Sequence, residues 1–197
     1  MLAANNLSVS RGGRELFTKL SFELGAGNLV QIEGANGAGK TSLLRILAGL
    51  SRYGFKGTIA CNTPRLYLGH NSAVKGMLSP RENLSLHVSG RDGRSTHDID
   101  AALDKVGLYG YEDVLCHTLS AGQLRRVNLA RLFLSGCPLW LLDEPFTAID
   151  IDGVAELEQL FVRHVQGGGA IVVTSHQALS LDYPVRALNL VGGLADG

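Results

Sequence analysis

Cysteine is scarce in this chain. Three residues in 197, Cys61, Cys116 and Cys137, are far apart and odd in number, which excludes a disulfide scaffold and a C-x-x-C zinc or redox pair and makes a reducing cytosol the expected compartment. Long apolar runs are absent too: the longest pieces, at 138–142 and 170–173, fall far short of the roughly 18 residues a membrane-spanning helix needs. The opening stretch MLAANNLSVSRGGREL lacks the basic start and apolar block of a secretory signal. Net charge is absent as well, 18 Lys and Arg against 18 Asp and Glu, so composition gives no support for a nucleic-acid partner. The six histidines, His70, His87, His97, His117, His164 and His176, show no metal-ligand spacing, and no structural metal is expected. What the chain has in excess is glycine, 25 residues, about twice the usual share and gathered at particular turns. With 45% hydrophobic residues it can bury a sizeable core, and its length predicts a single compact domain over 1–197.

Residues 2–10 and 20–24 alternate well enough to read as strands joined by the turn Arg11, Gly12, Gly13, giving a small antiparallel sheet. Residues 29–33 (LVQIE) form an apolar run that enters a glycine-rich turn, after which 40–50 places Leu43, Leu44, Ile46, Leu47 and Leu50 at helical spacing. Ser79, Pro80 and Glu82 mark a helix start with a capping box, and a further helix is predicted over 98–106. No convincing strand falls within 71–134, which reads as a helical lobe inserted in an α/β core. Apolar strands at 139–142 and 170–174, with a helix over 153–165 between them and a turn at Gly167, Gly168 and Gly169, predict a parallel sheet covered by helices.

Between the predicted strand and helix, Gly34, Ala35, Asn36, Gly37, Ala38, Gly39, Lys40 and Thr41 read GANGAGKT, a full match to G-x-x-x-x-G-K-[ST] in the context that motif requires. Glycines let backbone N–H groups converge on phosphate oxygens while the helix N-terminus faces the same point. Lys40 would reach the β and γ phosphates of ATP, Thr41 would offer its hydroxyl to Mg²⁺, and Ser42 would add a phosphate hydrogen bond. Downstream, LWLLDE ends an apolar strand in two carboxylates. Asp143 would hold Mg²⁺ through its water shell and Glu144 would polarise an attacking water. Leu119, Ser120, Ala121, Gly122 and Gln123 read LSAGQ and lead into LRRVNLAR; Ser120 and Gln123 form a capping box.

This set of motifs resembles the nucleotide-binding subunit of ABC transporters over nearly the whole chain. The resemblance implies an α/β fold of the P-loop NTPase, ABC type, with a parallel-sheet core, a small antiparallel β subdomain and an inserted helical lobe. It implies that LSAGQ is a signature acting in trans, that His176 in TSH is a switch histidine sensing the γ phosphate, and that Asp150 in TAID lies on a loop at a dimer interface. Two copies would pair head to tail, each ATP lying between one phosphate loop and the other copy's signature helix. There are three departures from the family pattern: Ala121 stands where glycine is commoner, Asn71 where a Mg²⁺-contacting glutamine is usual, and the stretch Val9, Ser10 and Arg11 where an aromatic residue stacks on adenine.

LVQIEGANGAGKTSLLRILAGLSR, LYLGHNSAVKGMLSPRENL, LSAGQLRRVNLARL and LWLLDEPFTAIDIDGV are similar to the ATP-binding subunits of haem exporters used in bacterial c-type cytochrome biogenesis. That resemblance implies integral membrane partners, docked near 71–83 of the lobe, and a peripheral location on the cytoplasmic face of the inner membrane. Cys116-His117 and Cys137-Pro138 are not C-x-x-C-H, so no direct haem ligand is expected. Two other readings compete, another exporter ATPase of efflux or lipoprotein type and a soluble ABC ATPase. The 77 residues between the phosphate loop and the signature, 42–118, leave no room for the long coiled coil of chromosome-type members. A degenerate module without hydrolysis is opposed by intact Lys40, Asp143, Glu144 and His176.

Overall fold

The computed structural model of the chain describes residues 1–51, 53–88, 95–176, 179 and 181–190. It divides into two units, Met1–Tyr67 with Cys137–Pro145 and Leu157–Gly197, and Leu68–Gly136 with Phe146–Glu156.

In the first unit, β1 (Leu2–Arg11) and β2 (Arg14–Leu24) form a hairpin turning at Gly12 and Gly13. A further strand, β4 (Phe55–Cys61), pairs antiparallel with β1 on its other side. The second sheet has the order β5 (Arg65–Leu68), β6 (Leu139–Asp143), β7 (Ala170–Thr174), β3 (Leu29–Glu33), β8 (Val185–Asn189). Its β6–β7, β7–β3 and β3–β8 pairs are parallel. All residues of β6 and β7 are buried, as expected of parallel strands covered on both faces. The strand period of two sends Leu139 and Leu141 into a core shared with Leu7, Phe17, Leu43 and Leu47. Trp140 faces the other way, edge-on to Phe161 and stacked on the ring of His164 at 3.6 Å.

The helix α1 (Lys40–Leu47) stops earlier than its leucine spacing predicts, because Gly49 turns left-handed at φ 74°. The helix α5 (Ile151–Gln166) starts two residues earlier than predicted and buries Leu157, Phe161 and Val165. Strands β4, β5 and β8 were not legible in the sequence.

The second unit is built on α2 (Pro80–Val88), α3 (Thr96–Lys105) and α4 (Ala121–Leu134) around Leu84, Ile99, Leu103, Leu108, Val127 and Ala130. The Ser79 box forms: Ser79 N–H donates to Glu82 Oε2 at 2.8 Å and Glu82 N–H to Ser79 Oγ at 3.2 Å. A second box, between Ser95 and Asp98, starts α3 at Thr96 rather than at 98. No helix among the described residues is long and apolar enough to cross a membrane.

His164 gives the fold a pH dependence. Burial lowers its imidazole below the ordinary 6.5, opposed by hydrogen bonding to the Pro138 and Ala170 backbone. The unfolded chain therefore takes up this proton before the folded chain does, so the site's stabilisation is complete above pH 6.5 and is lost as pH falls through the folded value. The urea midpoint, followed by fluorescence of Trp140, the chain's one tryptophan, should drop between about pH 7.5 and about pH 5.5. The drop should be smaller in H164Q, and an equal drop there would assign the effect elsewhere.

Candidate functional site

The loop of residues 34–39 links the end of β3 to the start of α1. Its backbone needs glycine: Gly39 caps α1 at φ 101°, and a Cβ there would meet Leu16 Cβ at 3.1 Å and the Phe17 ring at 3.2 Å. Gly34, at φ 148°, passes so close to Leu190 that a Cβ would sit 3.0 Å from its carbonyl oxygen. With no side-chain cap and no acidic residue in the first turn of α1, the N–H groups of this turn remain available to an anion. Ala35, Asn36 and Gly37 are exposed, whereas Ala38 is buried and its N–H donates to Ala35 O at 3.1 Å. Lys40 Nζ lies over the loop, donating to Gly34 O at 2.7 Å and to Ala35 O at 3.4 Å. Ser42 is half-buried, one residue after the exposed Thr41.

The ladder places Asp143 beside Thr174, and Thr174 beside Ile32, so the ends of β6, β7 and β3 meet the loop. Asp143 is 1% exposed. Its Oδ1 accepts from Thr41 Oγ1 at 3.2 Å and from Thr174 Oγ1 at 2.9 Å. Its charge helps burial to raise the phenol of Tyr67, while Arg45 pulls the other way. Glu144 follows in the left-handed region at φ 51°, a conformation that costs an L residue. Its N–H donates to Thr174 Oγ1 at 2.9 Å, and its Oε1 lies 3.6 Å from His176 Nε2. The Glu144 side chain is 13% exposed and that of His176 64%. The phosphate loop, Thr41, Asp143, Glu144 and His176 thus gather at one end of one sheet. Thr174 joins them, and nothing in its sequence context beyond a hydroxyl closing an apolar run pointed to it.

The other expected residues belong to the helical unit. Ser120 caps α4: Gln123 N–H donates to Ser120 Oγ at 3.2 Å and Ser120 N–H to Gln123 Oε1 at 2.9 Å. Leu119 is buried in the helical core, while Ser120 and Ala121 are exposed. A Cβ on Gly122 would lie 3.3 Å from Ala148 O. Asp150 caps α5 by accepting from Gly153 N–H at 2.9 Å and pairs with Arg126. The Gly153 bond, with the Arg126 charge beside it, holds the Asp150 carboxyl below its ordinary range. Asn71 is exposed. Two arginines of the LRRV segment acquire roles the sequence did not announce. Arg126 holds Asp150, and buried Arg125 donates to Gly69 O at 2.8 Å and His70 O at 3.3 Å.

Residues 17–147 match the family described as ABC transporter. The chain is 51% identical over 205 residues to the cytochrome c biogenesis ATP-binding export protein CcmA of Shewanella frigidimarina, covering 96% of this chain and 94% of that protein. It is 52% identical over 191 residues to CcmA of Tatumella citrea, covering 91% and 90%. Among solved structures, a Pyrococcus furiosus protein assigned as an ABC transporter ATP-binding protein superposes with a TM-score of 0.81 at 27% identity, covering 96% of each chain. The ATP-binding cassette MJ0796, in a dimeric post-hydrolysis state bound to ADP and Pi, shares the fold with a TM-score of 0.79 at 20% identity, covering 90% of this chain and 88% of that one. By motif order, by fold and by these identities, the chain belongs to the ABC transporter ATP-binding family, among the cytochrome c biogenesis ATP-binding export proteins.

Proposed function

We propose that this chain is the ATP-hydrolysing subunit of a membrane export complex that serves c-type cytochrome assembly, bound peripherally to integral membrane subunits on the cytoplasmic face of the inner membrane. The observation that carries the chemistry is the meeting of the phosphate loop, Thr41, Asp143, Glu144 and His176 at one sheet end.

The loop N–H groups of residues 34–39 and the first turn of α1 bind the phosphate chain, with Lys40 turned from the loop carbonyls onto its β and γ oxygens. Thr41 hydroxyl and Asp143 carboxylate, 3.2 Å apart, would hold Mg²⁺, the hydroxyl as a hard oxygen donor and the carboxylate through the ion's water shell. No group of three or more His, Cys, Asp or Glu side chains suited to a metal occurs among the described residues, so phosphate and water would complete its shell. When bound, Mg²⁺ supplies charge neutralisation across the β and γ phosphates. Asn71 is the candidate for a further, water-mediated contact. Glu144 orients the attacking water and takes its proton as the water oxygen bonds to the γ phosphorus and the bond to the β-phosphate oxygen breaks, giving ADP and phosphate. His176, beside Glu144 Oε1, contacts the γ phosphate and reports its loss.

The exposed N-terminus of α4, with the Ser120 hydroxyl and the N–H groups of Ala121 and Gly122, is suited to cap the γ phosphate bound by a second copy of this chain, paired head to tail. Asp150 steadies the loop beside that contact. ATP then holds the pair together, hydrolysis releases it, and the opening and closing moves the membrane partners, which dock on the helical unit around residues 71–83. The 51% identity to a named cytochrome c biogenesis export protein favours this pathway over efflux or lipoprotein export. Net charge of zero lends no support to a nucleic-acid role, and no haem ligand is assigned to this chain.

Placing arginine at Ser120 tests the pairing. ATP binding by each copy should be unchanged, whereas the ATP-dependent dimer, measured by size exclusion in a Glu144→Gln background that cannot consume the nucleotide, should disappear. Dimers that persist in S120R would remove the signature from its role in trans.

A further inference from the structure

We propose that Thr174 is a positioning residue for ATP hydrolysis, its hydroxyl clamping Asp143 and Glu144 together so that the Glu144 carboxylate is aimed at the attacking water. The inference rests on the reading of Glu144 as the general base.

A carboxylate only accepts hydrogen bonds and a backbone N–H only donates, so a single atom that bridges the two must do both, as a hydroxyl can. Thr174 Oγ1 donates to Asp143 Oδ1 at 2.9 Å and accepts from Glu144 N–H at 2.9 Å. The side chain is fully buried, at the last position of β7 and in register with Asp143. Packing does not explain the choice. The preceding residues of β7 are Ala170, Ile171, Val172 and Val173, and a valine at 174 would fill the same volume. Threonine's branched Cβ restricts χ1, which fixes the direction of both hydrogen bonds.

The need for a clamp is visible at Glu144. Its φ of 51° is left-handed, and such a conformation persists in a residue with a Cβ only where its surroundings over-determine it. This turn breaks the strand's alternation and places Glu144 Oε1 3.6 Å from His176 Nε2. Without the Thr174 hydroxyl the 143–144 peptide loses a bond that opposes relaxation to an ordinary φ, and relaxation carries the carboxylate away from its line of attack. A displacement of about 1 Å suffices for a rate loss of about a hundredfold.

The test compares T174V, which keeps the shape and removes the hydroxyl, with T174S, which keeps the hydroxyl, and with E144Q, each in the membrane complex that copurifies with the tagged full chain. T174V should lower kcat by about tenfold or more with KM for ATP within about twofold of wild type. T174S should recover more than about half of kcat. Binding of ATP to the full chain in EDTA, and the thermal unfolding midpoint, should stay near wild type in both. Should T174V fail to accumulate, T174A takes its place in the same comparison. A T174V with wild-type kcat beside an inactive E144Q overturns the clamp and leaves the base reading standing. A T174S as slow as T174V also overturns it, since volume rather than the hydroxyl would then be at issue. An E144Q that turns over like wild type removes the base reading and the clamp together.

Discussion

Glu144→Gln slows ATP hydrolysis by about 10²- to 10⁴-fold, the range a positioned general base supplies, while ATP remains bound. Glutamine keeps the length and planarity of the side chain and loses the ability to take a proton, so the change isolates chemistry from shape. The site geometry makes the separation sharp. The Glu144 N–H goes to Thr174 and its carboxylate lies beside His176, whereas Lys40 Nζ lies over the loop carbonyls of Gly34 and Ala35. Nucleotide binding, assigned in the proposal to the loop and Lys40, is therefore expected to survive, and unhydrolysed ATP should accumulate in paired copies. Phosphate release and size exclusion measure the two halves of the prediction separately. Wild-type turnover in the variant would strip Glu144 of its assigned role.

Lys40→Ala acts at the opposite step. Lys40 carries the loop's one ammonium, poised at 2.7 Å from the Gly34 carbonyl, and hydrogen bonds from a charged donor are worth about 1.5–3 kcal/mol. ATP binding should weaken by about 10- to 100-fold and turnover should be lost with it. In the source cells, with the protein at its normal level, covalently bound haem c should disappear while other haem proteins remain. Unchanged c-type cytochromes would leave the ATPase in place and send the search to another membrane partner. Lys40→Ala and Glu144→Gln together separate a subunit that cannot engage ATP from one that cannot let it go.

The phosphate loop was legible because its motif specifies backbone: each glycine is dictated by close approach or left-handed φ, and Gly39 against Leu16 and Phe17 shows why. The acidic pair was legible because an apolar strand ending in carboxylates is costly without a purpose. His176 entered only through resemblance, since a lone histidine after a strand has no intrinsic signal. Thr174 was invisible for a related reason: its role lies in a pairing across strands 31 residues apart in sequence. Strand β4 escaped because FKGTIAC is mostly exposed and its pattern is that of a weak edge. Asp150 was read as an interface residue, and its bond to Gly153 gave it a helix-capping role, because the start of α5 had been placed at Gly153 itself.

Position 144 is where fold and chemistry ask for different residues. At φ 51° the backbone is best served by glycine or asparagine, and a glutamate held there costs about 1–2 kcal/mol. On the proposed reading of Glu144 as general base, variation that relieves this penalty should stabilise the protein and remove its turnover. With Glu144 as the proposed base, gains in thermal tolerance at this position should come with loss of turnover, and a screen for robust variants of this subunit should enrich for inactive ones unless turnover is selected at the same time.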